Sequence, residues 1–323
     1  MTRPLPRAIE VCRAPTPIQP LDRLSDALGG PRISVKRDDL TEVPLSGNKV
    51  RKLEFLFAEA LDQGAHTVVT CGGIQSNHCR ATALLAARVG LAPILVLRGS
   101  PPSGGPEGNL FLDLFAGARI VWVTPEEYRR VGDVYARLES ELRAEGRRPY
   151  FVPEGGSNAL GSLGYARAAG EIPGGEFTHL YHATGSGGTS AGLVLGKAMH
   201  RLDLELVGVA VCDDEAYFRA KIGRILDESK TRFGLEAPPD IRIVDRYIGP
   251  GYAKTYPEMR RTMLEVARLE GLILDPSYTG KAFHGLVEEI RAGRLGRGDR
   301  VLFLHTGGIF GLLAARSEFA GEI

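Results

Sequence analysis

Thr67-Val68-Val69-Thr70 is a short apolar run that leads into Cys71-Gly72-Gly73-Ile74-Gln75-Ser76-Asn77-His78, and this junction decides the fold. A β-branched strand stops at two glycines, and residues 77–89 then carry a helical pattern that Gly90 ends. Upstream, Leu53, Leu56, Phe57, Ala60 and Leu61 recur at helical spacing, so 48–62 reads as an amphipathic helix. Downstream the alternation continues: strand 93–97, helix 109–115, strand 119–123, a long charged helix from Glu126 to Arg143, and strand 150–152. A second series follows the glycine-rich Glu154-Gly155-Gly156-Ser157-Asn158. It comprises a helix at 160–171, strand 179–183, a helix from 189, strand 205–211, a helix at 214–230 and strand 241–244. A helix at 257–269, strand 272–274, a helix from 280 and strand 301–304 complete it. Such alternation predicts an α/β protein with open, mostly parallel sheets flanked by helices.

The bulk numbers fit that class and exclude others. The 323 residues suggest two domains, and 43% hydrophobic with 24% charged residues is ordinary for a large buried core. Forty basic against 39 acidic side chains leave no basic surplus for nucleic acid or an anionic membrane. The first 20 residues lack a signal-peptide run, and no stretch reaches the roughly 20 apolar residues that span a bilayer. A cytoplasmic location is expected. Cys12, Cys71, Cys79 and Cys212 form no CxxC pair, so neither disulfides nor a metal site is expected. Cys71, His78 and Cys79 are poorly spaced for zinc.

Open α/β sheets bind ligands beyond the carboxyl ends of their strands. Three loops there carry glycine and polar residues. In the first, Ser76 and Asn77 stand at a helix start, able to cap it or to grip an anion. The second, Thr184-Gly185-Ser186-Gly187-Gly188-Thr189, lets backbone N–H groups approach a phosphate, or else makes a tight turn. It matches neither GxGxxG nor the Walker pattern, so a phosphate monoester suits it better than a dinucleotide. The third is His305-Thr306-Gly307-Gly308. For an amine nucleophile the chain offers only 8 lysines among its 40 basic residues. Lys36 and Lys52 sit beside arginines, and Lys281 is the main rival to Lys49. Lys49 lies in a helix's first turn on the face of Leu53, where burial and the helix dipole lower an amine's pKa.

Together these strings resemble the D-cysteine desulfhydrase and 1-aminocyclopropane-1-carboxylate (ACC) deaminase family of fold-type II pyridoxal-phosphate enzymes. The matching pieces are Ser46-Gly47-Asn48-Lys49, Gly73 to His78, Gly155 to Asn158, Gly185 to Thr189, Asp275 to Lys281, and His305 to Gly308. They stand in family order across nearly the whole chain. The resemblance implies a tryptophan synthase β-like fold, with a smaller domain at 48–159 and a larger cofactor-binding one at 1–47 plus 160–323. It implies pyridoxal 5'-phosphate bound to Lys49 as a Schiff base, Asn77 at the ring hydroxyl, and residues 184–189 around the phosphate. Thr306 would face the pyridine nitrogen. Ser76, with Gln75, Asn77 and His78, would hold the substrate carboxylate, and Tyr278 and Tyr252 would line the substrate side. A homodimer acting on a small amino acid is implied.

One departure bears on the reaction. ACC deaminases follow the tyrosine with glutamate and have leucine in place of Thr306; this chain has Thr279 and Thr306. A hydroxyl leaves the pyridine less protonated than a carboxylate would, a weaker electron sink suited to expelling thiolate. β-Elimination from D-cysteine is therefore expected. The alternatives are ACC deamination, cysteate desulfonation or β-replacement on the same scaffold. A non-enzymatic cofactor carrier and a nicotinamide dehydrogenase are readings of other classes.

Overall fold

The computed structural model describes residues 4–323. Its ten strands are β1 (Ile18–Pro20), β2 (Arg32–Lys36), β3 (Thr67–Gly73), β4 (Ala92–Arg98), β5 (Arg119–Val123), β6 (Pro149–Phe151), β7 (His179–Thr184), β8 (Glu205–Ala210), β9 (Arg242–Val244) and β10 (Arg300–Leu304). They form a six-stranded sheet in the order β1-β2-β10-β7-β8-β9 and a four-stranded sheet in the order β5-β4-β3-β6. Only the β1–β2 pair is antiparallel. The chain is thus α/β with two mostly parallel sheets flanked by helices. The central strands β3, β4, β7 and β8 are buried along nearly their whole length, as strands covered on both faces must be; β4 and β8 are mostly apolar, whereas β7 carries His182 and Thr184 inside. Among the described residues no helix is long and apolar enough to cross a membrane.

Three expectations need correction. The segment 272–274 joins no sheet: Leu272 and Leu274 are buried, Ile273 is not, and the Ile273 carbonyl meets His305 Nε2 at 2.9 Å. Alternation gave it the look of a strand, but no sheet edge lies beside it. The long charged helix is two, Pro125–Arg129 and Val131–Ala144, because Arg130 leaves helical geometry. The helix Asn48–Asp62 begins and ends as expected and keeps its apolar stripe, but its polar side is not left to water. Every residue from Lys49 to Ala58 is buried, charged ones included. Arg51 donates to Asp38 at 2.8 Å and Glu171 at 2.6 Å, and Glu54 accepts from the Val11 and Cys12 N–H groups at 2.9 and 2.7 Å. Internal ion pairs and hydrogen bonds replace water around this helix, which is how its charges tolerate burial.

Candidate functional site

The loops after β3, β7 and β10 converge at the carboxyl ends of their strands. They enclose a small pocket lined by Asn48, Lys49, Asn77, Thr306, Tyr278 and the segment from Ala183 to Ser190 without Gly188. The pocket opens into a cleft of about 640 Å³ and shares Lys49, Gly185, Ser186 and Tyr278 with it.

Lys49 stands in the first turn of Asn48–Asp62 and is 8% exposed. Burial is the main cause that lowers its pKa to about 8, against weaker opposing effects of Glu154 and Cys79. Its Nζ makes no hydrogen bond with any described residue, and it faces both cavities. The other lysines that leave water are engaged. Lys36 Nζ meets Glu171 at 2.6 Å, and Lys281 Nζ donates to the Gly251 and Val211 carbonyls at 2.5 and 3.2 Å. Lys52 Nζ reaches the Gly155 carbonyl and Ser157 Oγ at 3.2 and 3.3 Å. Burial and the nearby Lys49 charge push Lys52 well below the usual lysine range.

The loop after β7 is shaped as a cradle. Gly187 has φ 79°, a left-handed conformation that side chains rarely adopt. A Cβ on Gly188 would meet Ser157 Oγ at 2.6 Å, and one on Gly185 would meet Tyr278 at 3.0 Å. The backbone N–H groups of Ser186 and Gly187 donate to no described residue, so an anion placed there would find ready donors. Helix Gly188–His200 follows directly and adds its positive end. Thr184 Oγ1 and Ser190 Oγ lie 3.0 Å apart, Asn48 Nδ2 donates to Thr189 Oγ1 at 3.0 Å, and Ser186 Oγ pairs with Ser157 Oγ at 2.8 Å. This geometry fits a phosphate-bearing aldehyde: unclaimed N–H donors at one end and a buried, unclaimed amine at the other.

The loop after β3 divides its residues between the two cavities. Ser76 caps helix Asn77–Val89 by accepting from the Cys79 N–H at 3.2 Å, and its side chain lines the cleft. Asn77 lines the pocket. His78 lines the cleft, but its Nε2 is bound to Thr70 Oγ1 at 2.8 Å, and burial holds the ring neutral by pushing its pKa well down. Gln75 does not line either cavity. Its amide bridges to the 107–109 segment, donating to the Glu107 carbonyl at 3.0 Å and accepting from the Asn109 N–H at 2.9 Å. The expectation that Gln75 holds substrate is therefore replaced by a loop-bracing position.

Across the cleft, Tyr278 and Tyr252 share a hydrogen bond of 2.6 Å between their hydroxyls. Burial raises both pKa values, that of Tyr252 to about 12, so both hydroxyls keep their protons at neutral pH. Asp275 fixes Tyr278: its carboxylate accepts from the N–H groups of Ser277, Tyr278 and Thr279 at 3.0, 3.1 and 2.7 Å. It also accepts from Thr279 Oγ1 at 2.7 Å, and that hydroxyl accepts in turn from the Asp275 N–H. Thr279 is thereby consumed by this turn and does not line the pocket. Of the two threonines expected near the pyridine ring, only Thr306 lines the pocket.

The sequence did not single out Ala183 or Ser190 in the pocket, or Arg98, Tyr128, Arg129, Glu154 and Asp213 in the cleft. Arg98 ends β4, a carboxyl-end position that could have marked it. Its guanidinium carbon lies 5.1 Å from the Tyr128 ring centroid and 5.7 Å from that of Tyr252.

Residues 9–307 match the family described as pyridoxal-phosphate dependent enzymes. A Thermotoga maritima protein provisionally named 1-aminocyclopropane-1-carboxylate deaminase is 46% identical over 95% of this chain and 97% of its own length. D-cysteine desulfhydrase of Yersinia pestis is 42% identical over 93% of each chain. This chain is a pyridoxal-phosphate enzyme of the D-cysteine desulfhydrase and ACC deaminase family. A crystal structure of an ACC deaminase homologue superposes with a TM-score of 0.91 at 38% identity, covering 98% of this chain and 96% of that one. The family acts on amino acids as lyases or deaminases, which removes the carrier and dehydrogenase readings. Its relatives are named both ways, so the family alone leaves the substrate open.

Proposed function

We propose that the chain eliminates the β-substituent of a small amino acid, D-cysteine foremost, releasing pyruvate, sulfide and ammonia. The observation that carries this is the pocket lining: among the described residues it contains a threonine hydroxyl at 306 and no carboxylate. Pyridoxal phosphate, when bound, supplies an aldehyde that captures amines and a ring that draws electrons from the substrate Cα. Without a carboxylate to keep the ring nitrogen protonated, that pull is moderate. It suffices to expel thiolate and is poorly suited to opening an unactivated cyclopropane.

In this reading Lys49, with its amine pushed down to about 8, would hold the aldehyde carbon and would serve as the base for the substrate Cα proton. Asn77 donates to the ring oxygen. The N–H groups and hydroxyls from Thr184 to Thr189 would hold the phosphate, and Thr306 would face the ring nitrogen. Ser76 and nearby N–H groups orient the substrate carboxylate. Tyr278 and Tyr252, both protonated, offer a hydroxyl proton to the departing sulfur. The partition of strands between the two sheets supports a smaller domain at 48–159 and a larger one at 1–47 plus 160–323. A homodimer is supported by the exposed Phe111, Leu114 and Phe115 beside exposed Ile309 and Leu313, on helices that pack together.

A second reading, cysteate desulfonation, is favoured by the cleft rim. Arg98, Arg129 and Lys221 line it and outnumber the acidic Glu154 and Asp213, of which Glu154 accepts from the Tyr128 hydroxyl at 2.6 Å. Such a rim suits an anionic side chain. The test is keto-acid release from D- and L-cysteine, β-chloro-D-alanine, L-cysteate and ACC. D-Cysteine should give the highest kcat/KM. Efficient ACC opening would overturn the proposal, and a preference for L-cysteate would move it to the second reading.

A further inference from the structure

We propose that Arg80 is a positioning residue that, through Asn109, fixes which end of the Asn77 amide faces the cofactor. The proposal rests on the reading that Asn77 meets the cofactor's ring oxygen. Arg80 lies one turn into helix Asn77–Val89 and is fully buried. A guanidinium has donors and no acceptor, so every bond it makes has a fixed sense. Its Nη1 donates to Asn109 Oδ1 at 2.7 Å and to Asn77 Oδ1 at 3.3 Å.

That fixes Asn109, whose oxygen must face Arg80. Its Nδ2 then donates to Asn77 Oδ1 at 3.1 Å and to the Gln75 carbonyl at 3.0 Å. The Asn77 oxygen therefore receives two donors from within the protein. Its Nδ2 has no described acceptor, and the side chain lines the pocket. The free end of Asn77 is thus a donor, and a ligand atom placed against it must be an acceptor. A flipped amide would turn a carbonyl toward the ring oxygen, and Arg80 and Asn109 would each lose an acceptor. Arg80 also acts on the lysine side. Its Nη2 donates to the Leu45 and Ser46 carbonyls, both at 2.8 Å, which lie just ahead of the helix that carries Lys49. The Phe310 ring, 4.7 Å from the guanidinium carbon, closes the other face.

A donor at the ring oxygen favours the cofactor form with more negative charge there. This is the form left when the Lys49-linked nitrogen loses its proton. Losing the donor should raise the pH midpoint of the visible band of the bound cofactor. The experiment titrates that band in wild-type holoenzyme, Arg80→Lys, Asn109→Ala and Asn77→Ala, with cofactor Kd measured alongside. Arg80→Lys keeps the charge, so a shift there reports the lost fork of bonds. We expect Arg80→Lys and Asn77→Ala each to raise the midpoint by about one pH unit, and Asn109→Ala by about half as much. If Arg80→Lys does not fold, Asn109→Ala carries the test. A shift in Asn77→Ala with wild-type midpoints in the other variants would overturn the relay and leave the Asn77 reading standing. No shift in Asn77→Ala would overturn both.

Discussion

Lys49 and Lys281 each occupy the first turn of a helix, each lie out of water, and burial lowers each amine to about 8. They differ in what their nitrogens touch. Lys281 Nζ is spent on the carbonyls of Gly251 and Val211, whereas Lys49 Nζ meets no described residue and borders the pocket and the cleft. A depressed pKa therefore does not by itself mark a nucleophile, since buried structural lysines acquire one too. An amine with its donors free beside a cavity is ready for chemistry; one with its donors engaged is a strut that ties segments together.

The comparison breaks most visibly on substitution. Lys49→Ala should lose the covalent cofactor and cut kcat by at least about 10⁴-fold, since it removes both the attachment point and the base. Lys281→Met should keep the covalent cofactor and lose about 1–3 kcal/mol of stability, because two buried carbonyls lose their donor. Chemical denaturation and kinetics on both variants separate the roles. A Lys281→Met enzyme without bound cofactor would invert the assignment.

A second expectation concerns the cradle. Gly187→Asp should raise the cofactor Kd by roughly 100-fold, through the strained φ and repulsion of the phosphate dianion. Unchanged affinity in equilibrium dialysis would leave the loop as a turn only.

The third is a pH profile. Only the neutral amine attacks the aldehyde. With a pKa near 8, about one fifth of Lys49 is neutral at pH 7.4, against about one thousandth for an ordinary lysine. The rate at which apoenzyme captures pyridoxal phosphate should climb with pH and level off above about 8. A rate still climbing beyond pH 9 would show that burial does not tune this amine. The smallest effect expected is at the rim, where Arg98→Gln should raise KM for L-cysteate by about 5-fold and leave D-cysteine nearly unchanged.

Most of the frame was legible from Lys49 onward, because strands β3, β4, β8 and β10 are largely apolar runs and, like the more polar β7, end at glycines or polar loops. The N-terminal strands went unread. β1 has three residues and includes Pro20, and β2 carries Arg32 and Lys36 at its ends. The burial of Arg51, Lys52 and Lys36 was hidden for a different reason. Glu171, which pairs with Arg51 and Lys36, lies more than 100 residues away, and a charge reads as exposed until its partner is known. In the site, the glycine and polar loops drew attention to the right strand ends. Gln75 and Thr279 could not be told from their neighbours, because both spend their side chains on bonds that only the folded loops create.

The most direct test of Lys49 as the cofactor-bearing amine is reduction of the holoenzyme with borohydride, followed by peptide mapping. The expected result is one pyridoxyl-modified peptide, with the label on Lys49 and none on Lys52 or Lys281. A label on Lys281 or Lys52 would show that the free nitrogen beside the pocket is not the amine the cofactor selects, and would contradict the account.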